Sequence, residues 1–159
     1  MSVIIPDHYK QLRATVPFGS VSLGYGSIHL IPAVELEAAQ QGYGVISEGG
    51  EKEWQDEWVV IGYEGLCGDP IFIDTSDGCF PVFTAIHGMD EWSPQLIASS
   101  FSHFVQILEQ LLLLSVGRTD PIELEQHPIS FQESEAFSEF ITRGSLEAEL
   151  DFWKGLLQS

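Results

Sequence analysis

Three short runs rich in Val, Ile, Phe and Trp, Trp58–Tyr63, Pro70–Asp74 and Phe80–Ile86, follow one another with only turn residues between them. Connections this short pair consecutive strands side by side and antiparallel, so the centre of the chain is predicted to be an antiparallel meander. The second connection, Thr75-Ser76-Asp77-Gly78, carries an Asp-Gly pair suited to positive backbone φ, and a tight hairpin is expected there. Any fold for this chain must cover that meander.

The flanks read as helices with a few further strands. Pro6-Asp7-His8-Tyr9 with Leu12 opens a short helix, proline near its first turn and the acid favouring the helix dipole. Phe18–Gly26, with three glycines, is expected as a loop or a short strand pair, Ser27–Ile31 as a strand, and Pro32 starts a short helix ending near Gly42. Gly42–Asp56 lacks a period and is expected as an exposed loop with Trp54 near its far end. Ser93 as cap and Pro94 at the first helical position predict a helix in which Ile97, Phe101, Phe104, Val105, Leu108, Leu111 and Leu112 recur at spacings of three and four, ending at Gly117. Beyond Asp120-Pro121 and His127-Pro128, Gln132–Thr142 and Ser145–Leu157 read as two more helices, with Phe137, Phe140, Ile141, Leu146, Leu150, Phe152, Trp153 and Leu157 on their apolar faces. The expectation is an α+β fold: a mainly antiparallel sheet of about four to six strands with the Ile97–Val116 helix on one face. Residues 1–117 form its core domain, and 118–159 a helical C-terminal extension packed on the same domain.

Charge decides which partners are excluded. The chain has 24 acidic and six basic residues for a net charge of -18, and between Glu35 and Glu91 thirteen acids face only Lys52, a local balance of -12. Such a field repels nucleic-acid backbones and anionic lipid surfaces and steers a basic protein toward it. Neither direct nucleic-acid nor membrane binding is expected. The first residues show no basic and apolar leader, and Ile107–Val116, interrupted by Glu109 and Gln110, falls short of the roughly 20 residues a bilayer span needs, so a cytoplasmic protein is expected. Cys67 and Cys79, without C-x-x-C spacing, read as reduced thiols; a disulfide across the hairpin is geometrically conceivable but disfavoured inside a cell.

Candidate chemistry is sparse. Gly62, Gly65 and Gly68 have a Gly-x-x-Gly-x-x-Gly spacing but lack the lysine and following helix of a phosphate loop, so a tight turn braced by Asp69 is the better reading. Asp74, Ser76 and Asp77 lack the length and closing Glu of a calcium loop. His87 or His103 with Asp69 or Asp74, and Cys67 or Cys79 as nucleophile, could serve catalysis only if folding brought them together. No cofactor or metal is expected. Glu53, Trp54, Asp56, Glu57, Asp90, Glu91 and Trp92 combine aromatic anchors with an acidic rim and are the candidate partner-binding residues.

The string Ile61-Gly62-Tyr63-Glu64-Gly65-Leu66-Cys67-Gly68-Asp69-Pro70-Ile71-Phe72-Ile73-Asp74 is similar to the central signature of the SUKH family (Smi/Knr-like domains), which includes bacterial immunity proteins and fungal cell-wall-synthesis regulators. Pro6-Asp7-His8-Tyr9 upstream, Pro81-Val82-Phe83 and His87-Gly88 downstream, and Ser100-Phe101 with Phe104 resemble further parts of the family pattern, so the match covers Ile4 to Leu112. Two features depart from it: only five residues precede the proline-acid-tyrosine element, and Gly117–Ser159 extends beyond the family core. The resemblance implies a strongly bent sheet with surrounding helices, used as a non-enzymatic protein-binding scaffold. An immunity protein that neutralises a cognate bacterial toxin with a basic domain is the leading expectation. A housekeeping regulatory scaffold is the alternative, and a small hydrolase or transferase the third. Gly62, Gly65, Gly68, Asp69, Pro70 and Asp74 are then residues of the fold signature.

Overall fold

The computed structural model describes residues 5–41, 55–85 and 94–158. Helix α1 (Asp7–Ala14) leads into the hairpin β1 (Ser20–Leu23) and β2 (Gly26–Leu30), then a 3-10 turn (Ala33–Glu35) running into α2 (Leu36–Ala39). Strands β3 (Trp58–Glu64), β4 (Pro70–Asp74), β5 (Val82–Ala85) and β6 (Pro94–Ala98) follow, and then helices α3 (Phe101–Ser115), α4 (Pro121–Gln126), α5 (Phe131–Gly144) and α6 (Leu150–Gln158). The six strands form one sheet in sequence order, every pairing antiparallel. The fold is therefore α+β, with the expected meander at its centre.

Alternation along the strands gives the sheet two apolar faces. Val21, Ile28, Val59, Ile61, Ile73 and Val82 point to the helices and join Phe101, Phe104, Leu108, Phe137, Ile141 and Trp153 in one large core. Residues of the opposite phase, Val60, Phe72 and Ala85, form a second, smaller cluster with Ile31, Trp58 and Phe83 against it. Trp58 is half-buried in this second cluster, its ring 4.8 Å from that of Phe72. Register shifts at Ile61 in β3 and Ile97 in β6 insert one extra residue each, the local irregularity that bends a strand.

Several boundaries differ from the sequence expectation, each for a local reason. Pro94 does not begin the long helix but the last strand: a residue without an N–H is harmless at a strand's first position. The helix instead starts at Phe101, where Ser100 Oγ accepts the amide of His103 3.1 Å away, and Ile97 lies in β6, fully buried. Its end matches, since Gly117 takes the left-handed conformation (φ 76) that stops a helix and the Arg118 amide returns to the Ser115 carbonyl. In the β4–β5 turn the positive φ falls on Phe80 (φ 54) rather than Gly78. The turn is not a two-residue hairpin loop. It is folded by side chains, Asp74 Oδ1 accepting from the Ser76 amide and Asp77 Oδ1 from the Cys79 amide. α4 is not among the helices the sequence pattern predicts; Asp120 caps it, accepting from Glu123 N at 2.8 Å, with proline in the first turn.

The C-terminal helices complete the core. Trp153 of α6 is wholly buried, its ring against Phe104, Phe137 and Phe152, and its indole N–H donates to the Ile97 carbonyl at 2.9 Å. α6 begins at Leu150 rather than Ser145 because the residues before it close the outer side of β6: Ser145 Oγ accepts the Ser99 amide at 2.7 Å and the Glu149 amide donates to the Leu96 carbonyl at 2.7 Å. Leu146, read as a core position, is consequently 88% exposed. Arg118 ties α3, α4 and α5 together through the carbonyls of Leu114 and His127 and a two-pronged pair with Glu133. No helix among the described residues is long and apolar enough to cross a membrane.

Candidate functional site

A groove of about 750 Å³ opens on the sheet face opposite the large core. It runs from Gly19 and Ser20 across β2 and β3 to Gly68; His29, Ile31, Val60 and Tyr63 line the sheet side, and Pro32, Glu35, Ala38 and Ala39 the side formed by the 3-10 turn and α2. A four-residue helix has little stability of its own, and one side chain fastens it. Buried Gln40 donates to the carbonyls of Leu36 and Val60 and accepts the Val60 amide, all within 2.9 Å. The amide side chain thus occupies the hydrogen-bonding edge of β3 as a strand would.

Inside the groove the rings of His29 and Tyr63, cross-strand partners on β2 and β3, stack at 4.9 Å and 18°. Ser27 Oγ, 2.9 Å from His29 Nε2, fixes the imidazole. Two of the signature glycines exist for this arrangement. A Cβ at Gly62 would collide with the His29 carbonyl oxygen, and one at Gly65 with Ser27 Oγ while closing on His29 Nε2. Both positions let the turn side of β3 approach β2 closely enough to seat His29. Gly68 has a separate reason, its left-handed φ of 78. Pro70 opens β4 and Asp74 closes it.

The β3–β4 turn is braced by Glu64 as well as by Asp69. The carboxylate of Glu64, nearly buried, accepts the amides of Leu66 and Cys67, while Asp69 supplies its carbonyl to the Glu64 amide. Glu64 was legible as a residue but not in this role, because only the turn's geometry points two successive amides back at it. Glu64, Cys67 and Asp69 offer atoms within 4.8 Å of one another. With both oxygens of Glu64 already engaged by backbone amides, the arrangement is accounted for as a turn cap.

Of the proposed catalytic groups, Cys67 and Asp69 come together in the β3–β4 turn, while His103 and Asp74 are held elsewhere. His103 is buried on α3, its Nε2 3.0 Å from the Ile141 carbonyl and its ring stacked on Phe140. Asp74 belongs to its own turn, and Cys67 and Cys79 are free and exposed beyond opposite ends of β4, too far apart to pair. His87 lies outside the described residues. Of the candidate partner-binding residues, Glu53, Trp54, Asp90, Glu91 and Trp92 also lie outside them, as does most of the Gly42–Asp56 stretch. Asp56 and Glu57 are exposed just before β3, where the Thr75 amide and hydroxyl both donate to the Glu57 carbonyl and bring exposed Asp77 to the same end of the sheet. Comparison with protein-family models, with curated proteins and with solved structures finds no match for this chain.

Proposed function

We propose that this protein is a non-enzymatic binding module for a protein with a basic surface, and that it serves as an immunity protein neutralising a cognate bacterial toxin. The observation that carries the binding reading is the open groove on the sheet face opposite the large core, lined by His29 and Tyr63 together with apolar side chains, in a chain of net charge -18. The exposed acids at the Asp56–Glu57 and Asp77 end add a steering field to the same sheet. The similarity of Ile61–Asp74 and its flanks to the SUKH pattern supports the immunity role. The binding reading is favoured over catalysis by the separate structural tasks of His103 and Asp74.

Co-expression with the toxin encoded beside the gene, followed by stopped-flow association of the purified pair, tests the proposal. Rescue of growth is expected, with an association rate that falls about tenfold or more between low and high salt as charges are screened. Several partners of comparable, weak affinity would point to a regulatory scaffold instead. A hydrolytic or transferase activity abolished by His87→Ala or Asp69→Asn in a folded protein would replace the proposal with an enzyme.

A further inference from the structure

We infer that the groove recognises an arginine side chain, its guanidinium lying on the open surface of Tyr63 and pairing with the carboxylate of Glu35. This deepens the binding reading and rests on it. The argument starts from the His29–Tyr63 stack. His29 covers one side of the Tyr63 ring, yet Tyr63 remains 45% exposed, so a large aromatic surface faces the groove with nothing stacked on it among the described residues. Aromatic faces carry negative potential and attract cations, arginine above all because its planar guanidinium stacks while its donors stay free at the edge.

The rest of the lining suits the same side chain. Glu35, exposed on the wall opposite Tyr63, is the carboxylate among the described lining residues, and a guanidinium with five donors can stack and pair at once. Ile31, Val60, Ala38 and Ala39 offer an apolar channel for the three methylenes behind the charge. An anionic or purely apolar occupant would lack this complement: the first is repelled by Glu35, and the second leaves the carboxylate buried without a partner. The platform is also held before binding. Ser27 fixes the His29 ring, and Gln40 locks the wall that carries Glu35 to Val60, so little ordering remains to oppose association.

The test uses the full chain and three otherwise identical fluorescein-labelled peptides, Gly-Ser-Xaa-Gly-Ser with arginine, lysine or citrulline at the centre, read by anisotropy and by chemical-shift mapping at physiological salt. Citrulline keeps the shape of arginine and removes the charge. The arginine peptide is expected to bind about threefold or more tighter than lysine and about tenfold tighter than citrulline, with shifts centred on Tyr63, His29 and Glu35. Tyr63→Leu and Glu35→Gln should each weaken the arginine peptide about threefold to fivefold; Glu35→Gln, at an exposed side chain, should leave the melting temperature unchanged, and Tyr63→Leu, which gives up the His29 stack, should lower it only slightly. Glu109→Gln with Glu135→Gln, exposed on α3 and α5 and absent from the groove lining, should change the arginine peptide's affinity less than twofold. Equal binding of arginine and citrulline, shifts that map elsewhere, or equal losses in all the acidic variants would overturn the inference. If a basic protein partner is bound with unchanged affinity by Tyr63→Leu and Glu35→Gln, the arginine site fails while the binding function stands; if no basic protein is bound at all, the function itself fails.

Discussion

At Gly62 and Gly65 a methyl group meets two different kinds of obstacle, and the difference predicts two different outcomes. In Gly62→Ala the new methyl presses on the His29 carbonyl, part of the paired backbone, so β2 and β3 must separate; a loss of about 2 kcal/mol or more is expected in urea denaturation. Gly65→Ala presses on a serine hydroxyl that can rotate, so the stability loss should stay near about 1 kcal/mol or less, while the His29 ring resonances shift as Ser27 lets go. Equal losses for the two variants would refute this assignment. Tyr9 supplies a second test: its hydroxyl is buried with no hydrogen-bond partner among the described residues, burial pushes its pKa far upward, and its ring packs edge-on against Phe80 and Phe101. Tyr9→Phe removes a polar group whose desolvation nothing offsets and is expected to be neutral or to stabilise by about 1 kcal/mol in thermal denaturation. A destabilisation of that size would reveal a partner for the hydroxyl. The glycine spacing was legible in the sequence as a turn. Its purpose was not, because the residue that needs the space, His29, lies on a strand far upstream and no local pattern connects them.

Among the elements, the strands of the meander were readable because short alternating runs between turn residues have few other solutions, whereas Ser93-Pro94 misled because proline opens a strand as readily as a helix. The cap that begins α3 is Ser100; what local pattern lacked was the pairing of β6 with β5, which claims Ile97 for the sheet. Likewise α2 and its groove depend on Gln40, whose reach to Val60 is a long-range bond with no sequence signature. Trp153 measures how far α6 belongs to the core: Trp153→Phe keeps most of the ring packing but strips the Ile97 carbonyl of its donor, so about 1–3 kcal/mol of stability should be lost on chemical denaturation. α5 gives a pH test. The Ser130 amide, then Arg118, hold the Glu133 carboxyl below its ordinary 4.5, and a depressed acid contributes stability above that value and loses it as pH falls through the folded-state pKa. Glu133→Gln should therefore be less stable than the native chain by about 1 kcal/mol near neutrality, the scale of a helix cap, with the two curves converging below pH 4.5. Parallel curves down to strong acid would refute the linkage.

At the scale of the whole molecule, the sheet has two unlike margins. β6 is sealed on its outer side by the Ser145 hydroxyl, the Glu149 amide and the Trp153 indole, while β1, at the other end of the strand order, has β2 as its single strand neighbour among the described residues. Removing residues 145–158 should unseal β6 and strip Trp153 from the core together, giving a chain that is destabilised and forms aggregates in light scattering at concentrations where the full protein is clear. A monomeric, equally stable truncation would show the segment to be ornamental. In the intact protein the consequence concerns growth. Polymers that lengthen by adding strands need two receptive margins, one to join and one to offer, and this molecule presents at most one. Two copies meeting through β1 would leave a sealed β6 at either extremity, so edgewise addition terminates at a pair, and the mutual repulsion of two chains each carrying -18 opposes even that.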